Sequence, residues 1–90
     1  MNEKKSYAGK DIRGAQIRAA RALLCWSAND LAGKANLGVS TIRRAEATDG
    51  PLQMTASNLA AVRRTLRAAG VDFIFDAEGG LGVSLRKIHS

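Results

Sequence analysis

From Gly14 to Leu24 the chain reads GAQIRAARALL, where Ile17, Ala20 and Leu24 recur at helical spacing and strong helix formers fill the rest. That pattern predicts a first helix. Ser27 then stands where an N-cap belongs, because its hydroxyl can accept from the free amides of the next turn, and a second helix is predicted over Ala28–Ala35. Asn36-Leu37-Gly38 interrupts it. Asparagine is among the few non-glycine residues that tolerate the left-handed backbone of a tight helix-to-helix turn. A third helix is predicted over Val39–Glu46, and Thr48-Asp49-Gly50-Pro51 is a turn by composition. Thr55 or Ser57 can cap a long fourth helix with the apolar stripe Leu59, Val62, Leu66 and Ala69, ended by Gly70 as its first residue beyond the cap. After Gly70 the period changes to two. Val71, Phe73 and Phe75 alternate with Asp72, Ile74 and Asp76, which predicts a strand. Residues 78–82 form a glycine-rich reversal, and Val83, Leu85 and Lys87 alternate with Ser84, Arg86 and Ile88, completing a C-terminal hairpin.

Residues 1–10, with Lys4, Lys5, Gly9 and Lys10, show no such period and are read as a flexible N-terminal arm. The remaining chain divides into a helical domain over residues 11–70 and a strand or hairpin extension over residues 71–90. A chain of 90 residues supports one core, so the predicted fold is a single mainly α domain of four helices with a C-terminal strand or hairpin.

Composition narrows the function. Fourteen Lys and Arg against eight Asp and Glu leave a formal net charge of +6, which suits a polyanionic partner, although solvated lysines alone give many domains a similar balance. A single cysteine excludes an internal disulfide framework and a multi-cysteine zinc site, consistent with a reducing compartment. No apolar run approaches the roughly 20 residues of a membrane span, so a soluble cytoplasmic protein is expected.

Two short helices joined by about three residues, the second polar and basic, form the geometry that sets one helix into a DNA major groove. Leu31, Ala35, Leu37, Ile42 and Ala45 fall where such a pair buries its contacts, and the small Ala32 lets the helices approach. The stretch ARALLCWSANDLAGKANLGVSTIRRAEATDG resembles the phage-repressor-like, or Xre, group of helix-turn-helix regulators over residues 17–69. The shared features are the Ser27 cap, Leu31-Ala32, the turn at Asn36, Ser40-Thr41-Ile42 and Glu46. The chain departs from the group in three places. Ala28 replaces a phosphate-clamping glutamine, Asn36 and Gly38 replace the usual turn glycine and N-cap serine, and strand-like sequence follows where a fifth helix is common.

The resemblance implies a sequence-specific double-stranded DNA-binding transcriptional regulator, most simply a repressor, of a kind that commonly works as a homodimer, and the alternation of residues 71–87 makes the C-terminal strand the expected contact. The resemblance also implies that Val39, Ser40 and Arg44 meet base edges. Thr41 and Arg43 would lie nearer the phosphates. Arg18, Lys34, Arg63, Arg64 and Arg67 are further candidates for backbone contact, although on long helices such residues more often just keep a surface soluble. The chemistry agrees, since the arginine fork fits the O6 and N7 acceptors of guanine and valine can meet a thymine methyl. Arg43 and Arg44 can also be read as a solvated helical face. The resemblance further implies a structural ion pair between Arg21 and Glu46, the alternative being two exposed, unpaired side chains.

Other features carry less. Cys25 is read as a small buried hydrophobe, His89 as part of a disordered end, and residues 79–82 as a hairpin turn, because the lysine of a phosphate loop is missing. No paired carboxylates, metal cluster or nucleophile with a base can be assembled, so neither an enzyme nor a cofactor is expected. An interaction module remains the rival, for example an antitoxin-like subunit that masks a partner protein and binds DNA secondarily. The hairpin has two possible destinations, its own helices or the same strand of a second chain, with the second favoured.

Overall fold

Local devices set most of the helix ends. In the computed structural model, which describes residues 12–48 and 54–86, α1 (Gly14–Leu24), α2 (Ala28–Ala35), α3 (Val39–Glu46) and α4 (Ala56–Ala68) are followed by β1 (Val71–Phe75) and β2 (Leu81–Leu85). The Ser27 hydroxyl accepts from the Asp30 amide at 2.9 Å while the Asp30 carboxylate accepts from the Ser27 amide at 2.8 Å, a reciprocal cap on α2. Those bonds from Ser27 hold the Asp30 carboxyl below its ordinary range. Of the two candidate caps for α4, Thr55 is the one used, accepting from the Asn58 amide at 3.1 Å. The arm over residues 1–10, the turn residues Asp49, Gly50 and Pro51, and Lys87, Ile88 and His89 lie outside the described residues.

Three helices end in the left-handed region, at Cys25 (φ 58°), Asn36 (φ 61°) and Gly70 (φ 106°). Both non-glycine ends carry the same pair of hydrogen bonds. The Trp26 and Cys25 amides donate to the Arg21 and Ala22 carbonyls at 2.9 and 3.2 Å, and the Leu37 and Asn36 amides donate to Ala32 and Gly33 at 2.9 and 3.2 Å. In each case the following apolar residue, Trp26 or Leu37, packs half-buried on the core. Cys25 is therefore exposed, correcting its reading as a buried hydrophobe. A residue that must turn the chain left-handed just beyond a helix end points its side chain outward. Burial goes to Trp26 instead.

The core comprises Ile12, Ile17, Ala20, Leu31, Ala32, Ile42, Ala45, Leu59, Val62, Leu66 and Val71. It draws on all four helices and the first strand residue. Full burial of each large member contributes about 1.5–3 kcal/mol. Two stripe residues reach it only in part: Leu24 and Ala69 are half-buried, because each closes the last turn of its helix.

The hairpin is antiparallel, pairing Val71 with Leu85, Phe73 with Val83 and Phe75 with Leu81. Those six side chains share one face. The reversal runs over residues 76–80, earlier than the 78–82 read from the sequence. Asp76 causes the difference: its Oδ1 accepts from the Glu78 and Gly80 amides at 3.0 and 2.6 Å, Gly79 turns at φ 87°, and Gly82 is left inside β2. The sheet lies on the chain's own helices, with β2 against α1 and β1 against α4. The fully buried Gln16 fastens it, its Nε2 donating to the carbonyls of Ile74 (3.3 Å) and Gly82 (3.0 Å).

Candidate nucleic-acid interface

Eight residues make up α3, and its two faces have opposite fates. Ile42, Ala45 and Glu46, spaced i, i+3, i+4, are buried, whereas Ser40, Arg43 and Arg44, with the same spacing, are exposed. Among the described residues no hydrogen bond or ion pair holds the Arg43 or Arg44 guanidinium. Thr41 is half-exposed at the flank. Val39 is half-buried and packs on the core, so its side chain serves the fold at the start of the helix as well as facing outward.

The buried face is anchored hardest at Glu46. Arg21 meets its carboxylate with two bonds, Nε to Oε2 at 2.7 Å and Nη2 to Oε1 at 2.8 Å, and Nη1 donates to the Trp26 carbonyl at 2.9 Å. The Glu46 side chain is 8% exposed and that of Arg21 22% exposed, so the fork is largely removed from water. Bonding to Glu46 pushes the Arg21 guanidinium above its ordinary value against the opposing effect of burial. Arg18 adds a third grip, donating through Nη1 to the Glu46 main-chain carbonyl at the C-terminal end of α3. Gly14 completes the attachment. A Cβ at that position would collide with the carbonyl oxygens of Ala45 and Thr48, the latter 2.8 Å away, so only glycine lets α1 start this close to the end of α3.

The implied phosphate contacts are therefore differently placed. Arg43 and Thr41 sit on α3 itself. Arg18 is exposed on α1, next to the end of α3, with one of its nitrogens already donating to Glu46. Lys34, in the last turn of α2, holds its ammonium 5.1 Å from the centre of the Trp26 ring, a cation–π contact. Ala28 opens α2 half-buried.

Sequence reasoning passed over Gln16 and Gly14. Gln16 had one legible signal, its place three residues after the N-cap, where its Oε1 accepts from the Arg13 amide at 2.8 Å. Its bonds to the hairpin join residues 58 and 66 positions away and have no local signature. Among the described residues no group of three or more His, Cys, Asp or Glu side chains is placed to hold a metal ion, and no helix is long and apolar enough to cross a membrane. No family model matches the chain, and no curated protein matches it.

Proposed function

We propose that the protein is a sequence-specific double-stranded DNA-binding regulator of the phage-repressor-like kind, a repressor in which α2, the turn at Asn36 and α3 form the helix-turn-helix. The observation that carries this reading is the division of α3: one face is locked into the core through Ile42, Ala45 and Glu46, and the other presents Ser40, Arg43 and Arg44 to solvent. A helix held rigidly by one side and offering a forked donor on the other suits a major groove. In this reading Arg44, with Ser40 and the exposed part of Val39, meets base edges, while Arg43, Thr41, Lys34 and the remaining donors of Arg18 meet phosphates. The chain acts by occupying a site, which requires no catalytic group.

Two copies would read two half-sites about one helical turn apart. The open edge of the hairpin, flanked by the exposed Leu81 and Leu85, is the surface proposed for pairing them.

Selection of bound sequences from a random duplex pool, followed by titration across salt, tests the proposal. Arg44→Ala is expected to lose preference at one or two positions, at a cost of about 1–3 kcal/mol for the preferred site. Arg43→Ala is expected to weaken all sequences alike and to flatten the dependence of log K on log salt. If wild type and Arg44→Ala enrich identical sequences, α3 is not the reading helix. If no duplex is bound above background, the regulator reading is wrong as a whole.

A further inference from the structure

Among the described residues four large hydrophobic side chains are exposed, Leu23, Ile74, Leu81 and Leu85, and all of them lie on the hairpin or on α1, the helix packed against β2. Leu23 stands at i+7 from Gln16, on the flank of α1 that reaches the hairpin carbonyls. Leu81 and Leu85 share the inner face of the sheet with Val71, Phe73 and Phe75, which pack on the core, yet they remain exposed at the edge where the sheet ends. The phase of the ladder decides what that edge offers. The Asp76 amide donates to the Gly80 carbonyl at 2.9 Å, and the Arg86 amide to the Gly70 carbonyl at 2.8 Å. Alternate pairs of an antiparallel ladder exchange bonds, so Asp72 with Ser84 and Ile74 with Gly82 bond inward. The amides and carbonyls of Leu81, Val83 and Leu85 therefore point away from β1, and among the described residues no bond outside the ladder uses them. The sequence of β2, LGVSL, contains no lysine, proline or acidic residue, the usual blocks to pairing at an open edge.

We propose that two copies of the chain join β2 to β2 in antiparallel register about a two-fold axis at Val83, so that Leu81 of each copy stands opposite Leu85 of the other in a four-stranded sheet. This rests on the pairing of copies proposed above and fixes its geometry. The edge is its own complement. Turned about Val83, the outward groups of Leu81, Val83 and Leu85 meet the same groups of the second copy, and every donor on the edge finds an acceptor. The exposed leucines cover each other on the inner face. On the outer face Gly82 meets Ser84, which puts the two smallest side chains of β2 at the closely spaced pairs that exchange no bonds. Moving the axis to Gly82 or Ser84 leaves one leucine of each copy opposite no other. With the axis at Val83, the Arg86 residues of the two copies stand at opposite ends of the contact, roughly 20 Å apart at about 3.4 Å per residue, so the pairing brings no arginines together.

Sedimentation of the full chain across a concentration series, without DNA, tests the pairing. The wild type is expected to pass from monomer to dimer. Leu81→Lys and Leu85→Glu each enter the contact twice, so each should weaken the dimer by roughly tenfold or more in Kd. The two changes together in one chain should recover most of that loss, because each new lysine then faces a glutamate of the second copy, and added salt should weaken the recovered dimer. Within one chain the two positions lie about 13 Å apart along the strand, too far to pair with each other. A wild type that stays monomeric overturns the proposal, as do single variants that dimerise like the wild type. A double variant as weak as the singles overturns the register. Duplex selection is read separately, so a dimer of this register that binds no duplex fails the regulator reading alone, and a monomer that binds a duplex fails the pairing alone. Circular dichroism melts of each variant establish that the fold is intact where the dimer is lost.

Discussion

At the scale of single residues, the end of α3 is where the most specific interactions converge. Arg21 and Glu46 form a two-bond fork with little access to water, and removing either one leaves the other charge buried without its partner. A double-mutant cycle on Arg21→Ala and Glu46→Ala, read by chemical denaturation, should return a coupling of about 1–3 kcal/mol, the range for residues in direct contact. A value indistinguishable from zero would mean that the pair does not form in solution. Gly14 offers a separate test. Alanine is the better helix former by about 1 kcal/mol, so propensity alone favours Gly14→Ala. The carbonyls of Ala45 and Thr48 stand where the new methyl would go, and forcing them aside costs about 1–3 kcal/mol or more, backbone being less yielding than side chains. The net effect expected is destabilisation, with Tm falling roughly 4–8 °C for each kcal/mol lost. A rise in Tm would show that the approach of α1 to α3 is looser than described.

At the scale of elements, legibility followed the range of the interactions. Ser27, Thr55, Asn36 and Gly70 act on amides and carbonyls within a turn of themselves, and the helix boundaries could be read from them. The apolar stripes of α1 and α4 and the alternation of β1 were legible for the same reason, since a period is a local property. Cys25 shows the limit. No sequence rule marks cysteine for the left-handed region, so the end of α1 was visible only as a gap before Ser27, and the exposure of the thiol was missed. Asp76 was likewise read as a strand residue, although its carboxylate closes the turn by binding two amides. The exposed and buried positions of α3 follow its period, but the attachment through Gly14, Arg18 and Arg21 depends on α1 lying beside it, which no spacing announces. The destination of the hairpin was illegible because Gln16, which decides it, is a polar residue bonding to main-chain carbonyls far along the chain. Gln16→Ala should therefore loosen the hairpin before the helices, since it removes both bonds from α1 to the hairpin carbonyls, each worth about 0.5–1.5 kcal/mol. Hydrogen exchange gives the readout. The amides of β1 and β2 should speed up more than those of Ile42 or Val62, and a uniform acceleration would mean that the sheet has no opening of its own.

At the scale of the molecule, the same hairpin has two sides to its role. Its inner face closes the core of its own chain through Val71, Phe73, Phe75 and Val83, while Leu81 and Leu85 remain 46% and 39% exposed along β2. Lysine on an open strand is a common block to edge pairing, so Leu85→Lys should leave the melting of one chain nearly unchanged and abolish any dimer seen by light scattering. Dimers that persist in Leu85→Lys at the same concentration would place the contact elsewhere. The division of α3 has a different kind of consequence, one that concerns how such a chain can diverge. Residues 42, 45 and 46 answer to the core, and residues 40, 43 and 44 have no duty within the fold. A lineage can therefore rewrite the outer three in almost any combination without first acquiring compensating changes inside. A library randomised at those three positions should consist largely of folded members, while the same freedom at the inner three would leave few survivors.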